Sequence, residues 1–372
     1  MADVDIQTLG ERLRVARERA GLKQGELATL VNLDRTAVNR IETGIRKVTA
    51  LELSDIATAL GVRMSSFFED PTPALVSHRS SQGLDTADSK IDRLLAGIAA
   101  DVEFVNELAP DELALPGEAT QQPRPTSSSE AEDLAATART MLGVDSAEPL
   151  CDLVDRVASV GLLAFSTDLG VDTADAGTIL LRQGGVCLMN SHNKVGRRRL
   201  ALAHELGHYL VADEYTVDWR VADQRGGDLE SLLDRFARSV LLPDAGVRAS
   251  WAQHEPRTLR EMAVLLASRF RVDMATLARR LNELGLIDRD DVALVRGTTT
   301  TRADIVEFGL YVPSDLEGTS LPVPYQKAVL RAFRDERISR ERALELLHNT
   351  FAEADLPALR PRREDEIWTF VS

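Results

Sequence analysis

The sequence predicts a multidomain chain, mainly α with a small β-sheet: an all-α N-terminal domain, an α+β central domain and a helical C-terminal extension. Three observations carry this prediction. A chain of 372 residues exceeds one ordinary core. Apolar residues recur at helical spacing through most of it, whereas two short runs, Gly161–Ser166 and Gly185–Asn190, read as strands. Between Pro110 and Glu132 the periodicity gives way to LPGEATQQPRPTSSSEAE, rich in Pro, Ser, Thr and Gln. Abundant Ala, Leu, Val and Arg, with 5% aromatics, fit a helix-rich architecture.

The first domain is placed at residues 1–72. Helical spacing runs through Leu9, Leu13 and Ala16, then Leu27, Ala28 and Val31, then Val38 and Ile41, then Leu51, Leu53, Ile56, Ala57 and Leu60. Gly21, Asn32, Gly44 and Gly61 mark helix ends where positive φ is expected, and Pro71 and Pro73 close the unit. Residues 73–130 read as a connecting helix and a flexible linker. The stripe Ile91, Leu94, Leu95, Ile98, Val102 and Val105 suits either core packing or a dimer seam. The central domain, 131–300, opens with helices to Leu142 and over Leu150–Val160, and passes through the strand runs. It continues in helices from Arg198, over Leu229–Leu241 and Leu259–Phe270, and from Met274 to Leu284. Residues 301–372 are read as a strand-like start followed by helices Tyr325–Arg334 and Ser339–Asn349.

Net charge is −15, so any nucleic-acid contact must come from a local patch. Cys151 and Cys187 form no CxxC pair and read as reduced, buried thiols. The N-terminus lacks a secretory pattern and no apolar run is long enough to span a bilayer, so a cytoplasmic location without membrane contact is expected.

Gln24–Val31, Asn32 and Arg35–Glu42 have the pattern of two short helices joined by a tight turn, with Asp34 as N-cap of the second. Through Gln24, Ala28, Val38, Ile41, Glu42 and Gly44 this segment resembles the Xre class of helix-turn-helix domains. The resemblance implies DNA as a partner, with the second helix in the major groove. Arg35, Thr36, Asn39 and Arg40 would then meet base edges, and Gln24, Arg46 and Lys47 would hold phosphates.

Ala203-His204-Glu205-Leu206-Gly207-His208 is the strongest signal in the chain. Residues four apart share a helix face, so His204 and His208 can point at one zinc ion, and Glu205 falls beside it as a base toward water. A catalytic zinc takes a third protein ligand. Candidates are Asp213, Glu214, Asp218, Asp223, Asp228, Glu230 and Asp234; Glu230 is the choice. Asp234, one turn on, is placed to accept from the far nitrogen of a ligand histidine. Tyr209 is adjacent but is not assigned as oxyanion donor, and strand Gly185–Asn190 is expected to offer an edge to an extended substrate.

GRRRLALAHELGHYLVADEY followed by ESLLDRFARSVLLP resembles the ImmA/IrrE metallopeptidases, with Glu230, Phe236, Ala237, Leu241, Leu242 and Pro243 matching the second motif. Leu233 and Asp234 depart from that family's usual small residue and Asn. The resemblance implies a zincin-like fold and a gluzincin-like HExxH metalloendopeptidase with one zinc, cleaving an Xre-type repressor. A homodimer suits a DNA reader. The alternative is a DNA-binding regulator or antitoxin whose peptidase-like domain senses metal or a partner. Arg331, Arg334, Arg337, Arg340 and Arg342 read as a solvated face ahead of a partner surface.

Overall fold

In the computed structural model, which describes residues 5–19, 22–60, 64–68, 76–79, 90–116, 121–171, 175–211, 226–254 and 257–359, the chain divides into two compact units. One comprises Met1–Pro73 and Gly83–Ala100, the other Ala74–Gln82 and Asp101–Ser372.

The first unit is built from α1 (Ile6–Arg19), α2 (Gln24–Leu30), α3 (Arg35–Glu42) and α4 (Ala50–Leu60), with a 3-10 turn at Met64–Phe67. Leu13, Leu27, Val38, Ile41, Leu53, Ile56, Leu60 and Phe67 form its core. Local chemistry sets the helix ends. Asp34 accepts a hydrogen bond from Ala37 N at 2.7 Å, satisfying an otherwise orphaned donor of α3. Asn32 turns the chain at φ 53°, in the left-handed region that Asn tolerates. A Cβ on Gly10 would stand 2.4 Å from Ile41 O, so only glycine lets α1 approach the end of α3 this closely. The expected breaks at Gly21 and Gly61, and Pro71 and Pro73, lie outside the described residues.

The second unit holds a four-stranded sheet of β1 (Val76–Arg79), β2 (Leu162–Thr167), β3 (Ala176–Leu180) and β4 (Gly185–Asn190), in the order β1-β3-β4-β2. β4 runs parallel to β2 and antiparallel to β3, and β1 adds antiparallel to β3. The expectation that β4 offers an open edge is corrected: its backbone is paired on both sides. Sequence pattern shows that a run is buried but not which neighbours it has.

α9 (Val195–Val211) lies against β3 and β4, and α10 (Gly226–Leu241) packs on both α9 and α7 (Ser128–Met141). With α8 (Leu153–Ser159), these bury Leu134, Leu153, Val157, Leu202, Leu206, Phe236, Val240 and Leu241 in one core. α11 (Asp244–His254), α12 (Leu259–Phe270), α13 (Met274–Glu283) and α14 (Arg289–Gly297) extend it. Capping residues again set boundaries: Thr258 accepts from Glu261 N in a capping box, and Asp273 accepts from Thr276 N.

Three further expectations change. The stretch from Pro110 to Glu132 is not a free linker where it is described. Pro110–Leu113 form α6, Pro125 is buried, and Gln122 N donates to Leu210 O at the end of α9. Low apolar content removed the periodicity signal, yet backbone bonds dock the segment. The strand-like start of the C-terminal segment is instead α15 (Arg302–Glu307), capped by Thr301, and among the described residues the segment's backbone pairing with the sheet is the antiparallel bridge Ser166 to Ser320. Nor does that segment stand apart, since α16 (Val323–Arg334) and α17 (Arg340–Leu346) belong to the second unit. Tyr325 meets Phe165 edge-on at 5.1 Å, and Arg342 pairs with Asp101 at 3.0 Å.

The stripe on α5 (Lys90–Leu108) is used within the chain: Ile91, Leu95, Ile98, Val102 and Val105 are buried and Leu94 is exposed. No described helix is long and apolar enough to cross a membrane.

Candidate metal centre and nucleic-acid interface

Helices α9 and α10 bring the metal-ligating candidates together. His204 Nε2 lies 3.1 Å from Glu230 Oε2 and 3.1 Å from His208 Nε2, and His208 Nε2 is 3.3 Å from Glu230 Oε1. All three donor atoms fall within 4.8 Å of one another. Asp234 Oδ1 is 3.1 Å from His204 Nδ1, the nitrogen turned away from that cluster. Burial alone would raise the Glu230 pKa, but hydrogen bonds and attraction from His204 and His208 outweigh it and hold the carboxyl well below its usual range. Of the other candidates, Asp213, Glu214, Asp218 and Asp223 lie outside the described residues, and the Asp228 side chain is likewise not described.

The helix interface depends on Gly207. A Cβ there would stand 3.0 Å from Phe236 and 3.1 Å from Leu233, so glycine lets α10 carry Glu230 and Asp234 up to the histidines. Leu233, where a smaller residue is usual, is fully buried and fills the space beside Gly207.

Glu205 is fully buried, and both its carboxylate oxygens lack a hydrogen-bond partner among the described residues. An orphaned buried carboxylate is costly, and a cation beside it relieves that cost. Two imidazole nitrogens 3.1 Å apart cannot both act as acceptors toward each other, whereas both can donate lone pairs to a shared metal. This two-histidine, one-carboxylate set, with a carboxylate in reserve, fits zinc.

Cys187, wholly buried on β4, lies near enough to Glu205 that the two interact. Burial first, and then the Glu205 charge, push its thiol well above the usual value. Cys151 is part-buried, and both cysteines are free. Tyr209 turns away from the donors: its hydroxyl donates to Val160 O at 2.9 Å, and burial pushes its pKa up to about 12. It is a packing residue.

The arginine run at the start of α9 is also structural. Arg197 pairs with Asp175, Arg198 donates to Asp315 O, Ser191 O and Asn193 O, and the fully buried Arg199 pairs with Asp315 at 2.8 Å. Sequence reading missed Asp315, because nothing local marks an acid that partners a base more than a hundred residues away. The Gly207 role was visible only as a glycine inside a motif.

On α3, Arg35, Thr36, Asn39 and Arg40 are all exposed, as a surface that meets DNA requires. Gln24 and Arg46 are occupied. Gln24 Nε2 donates to Glu42 Oε2 at 2.8 Å and to Asn39 Oδ1 at 3.2 Å. Arg46 pairs with Glu52 at 2.6 Å, bracing the turn into α4. Lys47 is exposed. Beneath this surface Arg17 and Glu42 form a buried, two-point ion pair at 2.5 and 3.0 Å, which Gln24 joins. In the C-terminal helices Arg331 pairs with Asp335, Arg340 with Glu353, and Arg342 with Asp101 and Glu345, while Arg337 donates to Leu108 O. These partners within the chain weigh against the partner-surface reading of Arg331, Arg337, Arg340 and Arg342.

The fold and the donor set define a class: a helix-turn-helix protein that also carries a metallopeptidase-family domain. Residues 8–64 match the helix-turn-helix domain family, and residues 160–282 match the IrrE N-terminal-like domain family. Control protein C.MunI of Mycoplasma sp is 33% identical over 70 residues, spanning 19% of this chain and 95% of that protein. The restriction-modification controller C.AhdI of Aeromonas hydrophila is 38% identical over 17% of this chain and 96% of its own, with a TM-score of 0.17. ComR of Streptococcus suis aligns over 93% of this chain and 94% of its own at 14% identity and a TM-score of 0.16. The chain belongs, through its N-terminal domain, to the helix-turn-helix family that includes C.MunI, and joins to that domain an IrrE N-terminal-like one.

Proposed function

We propose that this chain is a site-specific zinc metalloendopeptidase in transcriptional control, acting on an Xre-type repressor or a similar DNA-associated regulator. The observation that carries the reading is the convergence of His204, His208 and Glu230 beside the buried Glu205 carboxylate, which has no hydrogen-bond partner among the described residues. A purely structural zinc site is usually closed by four protein ligands and needs no such carboxylate. His204, His208 and Glu230 would hold the metal, with Asp234 fixing the His204 ring through Nδ1. When bound, zinc supplies a Lewis acid that activates water and polarises a peptide carbonyl. Glu205 takes the proton from the attacking water at its carboxylate and returns it to the leaving amine. Burial in the α9 core keeps that carboxylate out of bulk water.

The helix-turn-helix domain brings this chemistry to DNA. Arg35, Thr36, Asn39 and Arg40 read bases and Lys47 holds phosphate, whereas Gln24 and Arg46 act by holding the domain's own elements. Binding to the same operator raises the concentration of peptidase around a bound repressor. The deciding experiment compares the chain with its Glu205→Gln variant on Xre-type repressors from the same genome. The variant is expected to retain zinc and lose cleavage by a factor of about 10²–10⁴. Equal cleavage by both would remove Glu205 as the base.

A further inference from the structure

Strand β1, Val76–Arg79, groups with the second unit, although α1–α4 before it and Lys90–Ala100 after it group with the first. It runs antiparallel to β3, with Val76 opposite Ile179, Ser77 opposite Thr178, His78 opposite Gly177 and Arg79 opposite Ala176. This is how an extended peptide adds to a sheet edge: main-chain hydrogen bonds supply affinity at little sequence cost.

Among the described residues, the rest of the sheet leaves one place for such an addition. β4 is paired on both sides. The outer edge of β2 is met by the C-terminal segment, where Ser166 and Ser320 exchange two backbone bonds of 3.0 Å, and Pro322 has no N–H with which to extend the ladder. β3 therefore carries the edge that remains, and β1 fills it.

That edge passes the catalytic helix. α9 packs on β3 and β4 and touches β1 as well. Ser77, Thr178 and Cys187 form one cross-strand row, and Cys187 is buried in the same core as Leu202 and Leu206 of α9. A peptide bound along β3 crosses that row.

We infer that strand β1, Val76–Arg79, occupies, in cis, the substrate-strand position of the peptidase domain, so that the chain closes its own peptide-binding edge. The inference rests on the peptidase reading for the word substrate; the strand capture itself does not depend on hydrolysis. A tethered segment acts at an effective concentration of about a millimolar, so it competes strongly with any peptide supplied in trans. The class of partner follows: an extended, strand-forming peptide segment that displaces β1.

The test uses the full chain carrying Glu205→Gln, so that nothing is hydrolysed. It is compared with the same chain in which Val76–Arg79 is replaced by Gly-Ser-Gly-Ser. The probe is a fluorescein-labelled peptide of residues 74–82, ALVSHRSSQ, followed by anisotropy. The replaced chain is expected to bind at least about tenfold more tightly than its parent, because the tethered competitor is gone. Equal binding by the two, or binding by neither, overturns the inference. Should the replaced chain fail to fold, Ser77→Pro serves as the milder variant, with the same expectation at smaller amplitude. Amide exchange on the parent gives an independent reading. Amides of residues 76–79 are expected to be protected and to exchange faster when excess unlabelled peptide is added; unprotected amides overturn the inference. Capture by the replaced chain, together with no proteolysis of any substrate by chains retaining Glu205, would sink the peptidase reading and support strand occupancy.

Discussion

Helix α3 keeps Arg35, Thr36, Asn39 and Arg40 in solvent and buries Val38, Ile41 and Glu42. Helix α9 buries Arg198, Arg199, His204, Glu205 and His208 in the layer that covers the sheet. Both helices are rich in polar side chains, but the physical consequence is opposite. An exposed charge is solvated, loses little when nothing binds, and contributes modestly to each contact when something does. A buried one must be paired, and its partner is part of the fold. On α9 each buried arginine has found carbonyls or a carboxylate, and among the described residues Glu205 alone of its acids and bases has no hydrogen-bond partner. That exception is the group to which the proposed function assigns the base.

The contrast is sharpest at the metal centre, where the largest effect is expected. Glu230→Ala removes one of three donors, and zinc affinity should fall by at least about a hundredfold while α10 remains helical. Unchanged zinc stoichiometry in a competition with a chelator would show that another group is the third ligand. Gly207→Val tests the same site through packing alone. Its added methyl groups meet Phe236 and Leu233, so zinc binding should weaken and stability drop by about 1–3 kcal/mol, read by thermal unfolding with and without zinc.

Next comes the buried arginine. Arg199→Met leaves Asp315 and the Leu150 carbonyl without their donor, and about 3–5 kcal/mol of stability should be lost in urea unfolding. A loss under 1 kcal/mol would mean that the exposed and buried arginines of this chain behave alike.

On α3 the comparison predicts a different signature. Arg35→Ala and Asn39→Ala should leave stability almost unchanged and each cost about 1–3 kcal/mol in discrimination between operator and scrambled DNA. Arg46→Ala should do the reverse, lowering stability through loss of the Glu52 pair with little effect on sequence preference. A swapped pattern would exchange their roles.

The smallest effect is a pH dependence. Burial opposes ionisation of Glu132, but hydrogen bonds and attraction from Arg280, which is fully buried, hold its pKa below the usual 4.5. A lowered carboxylate pKa contributes stability that is complete above the unfolded value and lost as pH falls below it. Glu132→Gln should therefore flatten the decline in stability below about pH 4.5, with little change in slope near neutrality. An unaltered acid limb would show that this pair does not couple folding to protons.

Much of the centre was legible because it is local. His204, Glu205 and His208 follow from helical spacing, and Glu230 and Asp234 from their one-turn separation at the start of a second amphipathic pattern. The N-cap at Asp34 and the left-handed Asn32 were legible for the same reason. Strand neighbours were not. Gly185–Asn190 reads the same whether it is an edge or a centre, and the sequence around Val76 carries too short an alternation to announce β1. The polar stretch before Glu132 hid its docking because backbone bonds, such as Gln122 N to Leu210 O, leave no side-chain pattern.

What the sequence determined by itself was therefore whatever lies within one or two turns of helix: the caps, the amphipathic faces, the paired histidines with their glutamate, and the helix-turn-helix with its exposed basic face. Only the tertiary structure decided how α10 approaches those histidines through the Gly207 gap, which carboxylate answers Arg199, and which strand lies at the edge of the sheet. The reason is physical. Caps and periodicity are set by residues a few positions apart, whereas ion pairs and strand order are contacts over long chain separations, with energies that depend on burial and packing that no local pattern records.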